Sequence, residues 1–157
     1  MAAPAVVAPI TLDTFYTMHD LPESVEHRLG EVFPENIGYE LPAPGRPDTV
    51  RASDVSFIRA ERVPRPRPRR AFALAPDVAV EVRSPSDTGG VLRRKLVDYL
   101  EAGTAAVWVV DPDARTVEVH APGAPVRRLG EGDTLEGDAA LPGFTRTLAD
   151  LFAALDD

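Results

Sequence analysis

The chain has 157 residues, 44% of them hydrophobic, which is enough for one core and too few for two, so we expect a single domain over residues 1–157. It has no cysteine, which excludes disulfides, thiolate metal sites and a cysteine nucleophile, and leaves oxygen and imidazole ligands for any metal. The net charge of −8 is unfavourable for binding a polyanion, so contact with nucleic acid would need a local basic patch.

No stretch approaches the roughly 20 apolar residues that cross a bilayer, and the opening MAAPAVVAPI lacks the basic start and long apolar run of a signal peptide. We therefore expect a cytoplasmic protein without membrane contact. Lys95 is the only lysine among 17 basic residues. Because burial can lower the pKa of an ammonium while a guanidinium stays charged, any chemistry that needs a lysine must use Lys95.

The first third of the chain predicts two short helices followed by β-structure. Residues 11–29 have apolar side chains at helical spacing on either side of Pro22. EVFPENIGYEL at 31–41 has β-type residues around a turn, and 42–48 is a loop rich in proline and glycine. VRASDVSFI at 50–58 alternates, which predicts one strand.

Within that strand the alternation places Asp54 on the same face as Ser56 and Ile58. The following ERVPRPRPRR at 61–70 has three prolines at a spacing of two, which exclude a helix or a central strand and predict an exposed, extended basic loop. This loop fits contact with DNA phosphates, a solvated loop, or a proline-rich ligand for a partner domain.

The stretch PDVAVEVRSPSD at 76–87 predicts a strand with two different faces. One face, which we expect to pack into a core, carries valines, and the other, which we expect to line a polar surface, carries mostly charged residues. The valines are Val78, Val80 and Val82, and the other face has Asp77, Ala79, Glu81 and Arg83.

A helix follows, with Ser86 or Asp87 as its expected N-cap and Gly103 as its end. Leucines at 92, 96 and 100 form its apolar stripe, and Lys95 lies at the border of the buried face. The apolar run at 105–110 predicts a central strand, which the crossover should make parallel to the preceding one.

The rest of the chain predicts smaller elements around this unit. RTVEVH at 115–120 is expected to return as a hairpin partner, and a short strand is expected at 126–129. TLADLFAALDD, from residue 147 onward, predicts a closing amphipathic helix. Trp108 lies in a run of valines and is expected in the core. The fold class is therefore α/β, with a mixed sheet flanked by helices.

Two carboxylates on neighbouring strands suggest a metal site. Asp54 and Glu81 can share a hard divalent cation such as Mg²⁺, and Lys95 can reach in from the helix to orient or activate a water. A structural interpretation fits the same spacing: Asp54 pairs at a strand end, Glu81 pairs with Arg83 or Arg94, and Lys95 extends from a half-buried face.

Residues 30–157 resemble the Uma-type family of putative restriction endonucleases, which belongs to the PD-(D/E)XK nuclease superfamily. The resemblance implies a restriction-endonuclease-like fold and an endonuclease that hydrolyses DNA phosphodiester bonds with Mg²⁺ or Mn²⁺. Several such nucleases act as dimers, so a homodimer is also an expectation. The segments that carry the resemblance occur in this order: GEVF, GYEL, TVRASDVSFI, APDVAVEVRSPSD, KLVDYLEAG, VWVVDPDARTVEV, DTLEG and LPGF.

By resemblance Asp54 takes the place of the superfamily aspartate and Glu81 that of the glutamate, both as metal ligands. The superfamily lysine position is Arg83 here, which implies a phosphate contact or a partner for Glu81. In this family the lysine has moved to the next helix, where KLVDY supplies Lys95, with Tyr99 one turn away as its support.

Asp77 also matches a family aspartate and is expected to be either structural or a ligand. Residues 1–29 match the family poorly and are expected to be atypical or shortened, and Ser53 replaces a proline that usually precedes the aspartate. These departures leave an alternative function open, a non-catalytic nuclease-like binding or accessory protein. A structural dimerisation module is a third interpretation, which would leave the sole lysine unexplained.

Overall fold

The structure is a computed structural model that describes residues 30–34, 37–45, 48–154 and 156. The two helices predicted within 11–29 lie outside these residues. A 3₁₀ turn occupies Ala60–Arg62. The strands are β1 (Gly30–Pro34), β2 (Gly38–Leu41), β3 (Thr49–Ala52), β4 (Val55–Arg59), β5 (Ala71–Phe72), β6 (Val78–Val82), β7 (Ala106–Asp111), β8 (Thr116–His120), β9 (Arg127–Leu129), β10 (Thr134–Glu136) and β11 (Thr145–Thr147), and the α-helices are α1 (Gly89–Glu101) and α2 (Leu148–Ala153).

A six-stranded sheet in the order β1-β4-β6-β7-β8-β9 organises the fold. Strands β6 and β7 are parallel and joined by α1, as predicted, while the other neighbours are antiparallel. A smaller sheet has the order β3-β2-β5, and β10 pairs with β11. The α/β class with a mixed sheet and flanking helices is confirmed. No helix in the described ranges is long and apolar enough to cross a membrane.

One face of the six-stranded sheet is covered by the carboxy-terminal segment, including α2. Trp108 is 2% exposed and packs against Phe144 with ring centroids 5.3 Å apart, so its predicted place in the core is confirmed. The α2 helix begins at a cap in which the Thr147 hydroxyl accepts a hydrogen bond from the Asp150 amide. This face contains the valines of β6 that the sequence assigned to a core.

The opposite face is covered by α1 and the three-stranded sheet. Ala79, Tyr39 and Tyr99 are fully buried there. The prediction that this face of β6 lines a polar surface is therefore wrong, because a second sheet and a helix pack on it. Glu81 lies on this covered face, 3% exposed.

The segment 50–58 forms two strands rather than the predicted single one. The chain bends at Ser53 and Asp54, so that β3 joins the small sheet and β4 joins the large one. Alternation across 50–58 is preserved in β4, since Val55 and Phe57 face the carboxy-terminal core and Ile58 faces α1. Period-2 alternation does not reveal which sheet a strand joins.

The α1 helix begins later than predicted, with Thr88 as its N-cap residue. Asp87 instead accepts a hydrogen bond from the Ser84 amide at 2.8 Å, and Ser86 contacts the Ser84 hydroxyl. These local bonds form a turn before the helix and so occupy both side chains. Gly103, with φ of 100°, lies just beyond the helix, as predicted.

Candidate functional site

Asp54 and Glu81 lie opposite each other on the two strands at the centre of the site. The antiparallel register pairs Val55 with Val80, so one further step places Asp54 across from Glu81. The Asp54 amide donates to the Val80 carbonyl at 3.0 Å, and the Val82 amide donates to Asp54 Oδ2 at 2.6 Å. These bonds on both sides of Glu81 fix the Asp54 carboxylate at the bend between β3 and β4.

Glu81 is a buried carboxylate with one oxygen bonded and one free. Lys95 Nζ donates to Glu81 Oε2 at 2.8 Å, and this contact joins α1 to β6. Glu81 Oε1 is buried and has no hydrogen-bond partner. Since a buried polar atom without a partner costs free energy, Oε1 is placed to accept a cation, a water or a donor from a ligand.

The surroundings of Glu81 oppose its ionisation. Burial raises the pKa of this carboxyl to about 7, while the hydrogen bond and positive charge of Lys95 act to lower it. The negative charges of Asp54 and Asp87 raise it further. A cation bound beside Glu81 would therefore stabilise its ionised form.

Two buried hydroxyls lie beside Glu81. Ser53 and Tyr99 are 1% and 0% exposed, and neither hydroxyl has a hydrogen-bond partner of good geometry. Burial raises the pKa of Tyr99, the charge of Glu81 raises it further, and the nearby Ser53 hydroxyl lowers it. Tyr99 thus lies between the carboxylate and the bend. Its hydroxyl makes no hydrogen bond to Lys95, the residue it was expected to support.

Asp77 lies at the opposite end of β6 from Glu81. Its carboxylate accepts from the Arg59 amide at 2.8 Å and pairs with the Arg62 guanidinium at 2.6 Å. Its backbone joins β4 and β7, because its amide donates to Phe57 and its carbonyl accepts from the start of β7. These contacts support the structural role that the sequence left open for Asp77.

Arg83 follows β6 and lies near Asp111 on β7, with no hydrogen bond to Glu81. Its guanidinium lies 3.7 Å from Asp111 and is 45% exposed. Glu81 is paired with Lys95 and not with Arg83, so the structure brings Asp54, Glu81 and Lys95 together and leaves Arg83 at the rim.

Two carboxylates can hold a magnesium ion that keeps other ligands, but they are too few to enclose a metal by themselves. The described part of the chain has no group of three or more His, Cys, Asp or Glu side chains placed to hold a metal. Mg²⁺ commonly binds through one or two carboxylates and keeps waters or substrate phosphates as its other ligands. Asp54 and Glu81, with Glu81 Oε1 unpartnered, provide such a set.

Two contributors to the site were not predicted as such. Ser53 was noted only as a replacement for proline, and Asp87 only as a helix cap, although its charge acts on Glu81. The position of Ser53 directly before Asp54 could have indicated that it belongs to the site. Nothing in the spacing of Asp87 indicates that the turn before α1 approaches β6.

A family model described as "Putative restriction endonuclease", Uma2, matches residues 14–149. A crystal structure described as a putative nuclease belonging to DUF820, from Anabaena variabilis ATCC 29413, is similar in fold with a TM-score of 0.75. The two share 22% sequence identity, and the match covers 92% of this chain and 76% of that one. No curated protein matches the chain.

Proposed function

The chain belongs to the Uma2 family of putative restriction endonucleases, and from this premise we propose that it is a metal-dependent endonuclease that hydrolyses DNA phosphodiester bonds. The observation that carries the proposal is Glu81. It is a buried carboxylate that faces Asp54, bonds the sole lysine through one oxygen and leaves the other without a partner. A carboxylate without a function is rarely kept in such a costly position.

Asp54 and Glu81 are the proposed ligands of Mg²⁺ or Mn²⁺. When bound, the metal would supply Lewis acidity toward the phosphate and lower the pKa of a water. Asp54 is fixed by the Val82 amide through Oδ2, so its geometry is set before any metal arrives. Such preorganisation reduces the reorganisation that binding requires.

Lys95, as an ammonium, is proposed to orient the attacking water and to balance the charge that develops on the phosphate. It is suited to this role because its side chain is partly exposed, at 29%, while its partner Glu81 is buried. Tyr99 would support the site from below, and Arg83, at the rim, would contact a phosphate.

The test compares Glu81→Gln with Glu118→Gln. Gln keeps the shape of the side chain and removes the charge, and Glu118 lies in the same sheet, on β8, beside His120. Calorimetric titration with MgCl₂ and MnCl₂, followed by cleavage of supercoiled plasmid, should show metal binding and cleavage in the native chain and in Glu118→Gln. Both should be lost in Glu81→Gln. Equal cleavage in all three proteins would refute the role of Glu81.

A second function, a non-catalytic nuclease-like binding protein, is favoured by a different observation. Lys95 already occupies one oxygen of Glu81, and the part of the chain that is described has no group of three side chains placed to hold a metal. In that case the ion pair would be purely structural. DNA binding by the native chain without any metal binding in the titration would support this function over the endonuclease.

A further inference from the structure

The basic loop at 61–70 divides into two halves with different surroundings. Arg65 and Arg67 both pair with Glu31 on β1, and the Arg67 guanidinium also lies 5.6 Å from the centre of the Phe33 ring. These contacts hold the first half of the loop against the six-stranded sheet. Glu31 therefore balances one of the two positive charges and holds both guanidiniums at β1.

Arg69 and Arg70 form the second half of the loop. Both are exposed, and within the described residues neither has an acidic partner. An unpaired guanidinium keeps its charge at any working pH and presents up to five donors. The second half therefore forms a local positive surface on a chain whose net charge is −8.

Strand pairing brings this surface to the same end of the small sheet as the candidate site. Ala71 pairs with Gly38 in parallel, and Gly38 pairs with Ala52 in antiparallel orientation. Arg70 precedes Ala71 and Asp54 follows shortly after Ala52, so both leave the sheet at the Gly38 end. Two strand spacings separate Ala71 from Ala52, which is about 10 Å.

That separation fits a single DNA strand. A separation of about 10 Å is short enough for one strand to reach both places with neighbouring phosphates. A duplex with one phosphate at the carboxylate pair would place a neighbouring phosphate near Arg69 and Arg70. Arg65 and Arg67 are instead directed toward Glu31 at the outer edge of the large sheet.

We propose that Arg69 and Arg70, rather than Arg65 and Arg67, contact the DNA backbone beside the scissile phosphate. This inference rests on the proposed function, because it takes DNA as the substrate. An acidic protein needs a local basic patch to bind a polyanion, and in this proposal Arg69 and Arg70 form that patch. The first half of the loop then anchors it to β1, and the second half binds DNA.

The experiment measures the salt dependence of DNA binding. A fluorescein-labelled duplex of about 20 base pairs is titrated with native protein in EDTA, which prevents cleavage, over about 50 to 200 mM NaCl. The variants are the double substitution Arg69→Ala with Arg70→Ala and, for the other half of the loop, Arg65→Ala with Arg67→Ala. A charge-matched control replaces Arg127 and Arg128 on β9, at the far edge of the sheet.

Each lost phosphate contact should reduce the slope of log K against log salt by about 0.9, so the Arg69 and Arg70 variant should lose nearly two units of slope. The Arg127 and Arg128 control should keep the native slope. An unchanged slope in the Arg69 and Arg70 variant, an equal loss in either of the other two variants, or no DNA binding by the native protein would overturn the inference.

These results separate the inference from the proposed function. Loss of slope in the Arg69 and Arg70 variant, together with plasmid cleavage that survives Glu81→Gln, would leave the binding surface standing and refute the carboxylate site. Cleavage that depends on Glu81, together with an unchanged slope in the Arg69 and Arg70 variant, would support the carboxylate site and refute the binding surface.

Discussion

At the scale of single residues, Glu81 links the pH of the solution to the stability of the fold. Its pKa is about 7 in the folded chain against an ordinary 4.5, so the folded state binds its proton more tightly than the unfolded state. Stability from this group is therefore fully present below pH 4.5 and is lost as pH rises through 7. At about 1.36 kcal/mol per unit, the loss is on the order of 3 kcal/mol.

We therefore expect Glu81→Gln to gain stability relative to the native chain as pH rises. Gln cannot ionise, so it does not pay the cost of a buried charge at high pH. Urea denaturation in EDTA at about pH 5 and about pH 8 measures the difference in free energy of unfolding at each pH. Parallel pH dependence in the two proteins would show that Glu81 ionises as easily when folded as when unfolded.

Tyr99 and Tyr39 allow a matched comparison of two fully buried hydroxyls. The Tyr39 hydroxyl bonds the Ser56 hydroxyl at 2.5 Å, whereas the Tyr99 hydroxyl has no partner of good geometry. We expect Tyr39→Phe to cost about 1 kcal/mol, because Ser56 loses its partner, and Tyr99→Phe to be neutral or stabilising. Thermal denaturation of both variants tests this. A large loss in Tyr99→Phe would indicate a bound water or a direct bond to its hydroxyl.

The sequence predicts the orientation of the two carboxylates but not their contacts. Alternation along the strands places Asp54 and Glu81 on one side, because side chains on a strand have a period of two. The choice of Lys95 over Arg83 or Arg94 as the partner of Glu81 depends on the rotation of α1 on the sheet. Lys95 stands out in the sequence as the sole lysine, and the resemblance to a nuclease family favours it over the structural interpretation.

At the scale of elements, Asp77 joins three of them. It accepts from the Arg59 amide at the end of β4, pairs with Arg62 in the 3₁₀ turn, and directly precedes β6. The Arg59 guanidinium also lies 3.6 Å from its carboxylate. We expect Asp77→Asn to destabilise the fold by about 1–2 kcal/mol, since two partly exposed guanidiniums lose their counter-charge. Metal binding should remain as in the native chain.

Asp54→Asn provides the opposite case. Its amide oxygen can still accept from the Val82 amide, so the fold should change little, while metal affinity should fall sharply. Urea denaturation and calorimetric titration of both variants give the two readouts. Loss of metal binding in Asp77→Asn with normal stability would make Asp77 a ligand instead of a structural residue.

Long elements are well predicted from the sequence, and short or bent ones are not. The parallel pair of β6 and β7 with α1 between them follows from the length and apolar pattern of each segment. Strand β5 has two residues, so it has no periodicity to detect, and its pairing with β2 is defined only by the fold. The break at Ser53 was missed for a related reason, because alternation continues through the bend.

At the scale of the whole molecule, the distribution of charge matters more than its sum. Most described arginines pair with nearby carboxylates, as Arg51 does with Asp98 at 2.6 Å. These pairs offset positive charge locally. Among the described residues the arginines without a carboxylate partner are Arg69 and Arg70 in the basic loop and Arg93, Arg94, Arg128 and Arg146 elsewhere. A net charge of −8 is thus compatible with a DNA-binding surface, which the overall composition would not suggest.

The described residues of each chain contain one candidate site, formed by Asp54 and Glu81. This number of sites predicts the products of cleavage. A single site cuts one strand in each binding event, so limiting protein should convert supercoiled plasmid to nicked circles before linear DNA appears. If two chains act together on one duplex, linear DNA should form without free nicked circles, at a rate that rises faster than protein concentration. Agarose gels over time distinguish these outcomes. A further test adds an excess of the Glu81→Gln variant while DNA remains in excess over protein. Nicking by chains that act independently should not change. If the active form is a homodimer, mixed dimers should form and the amount of linear product should fall.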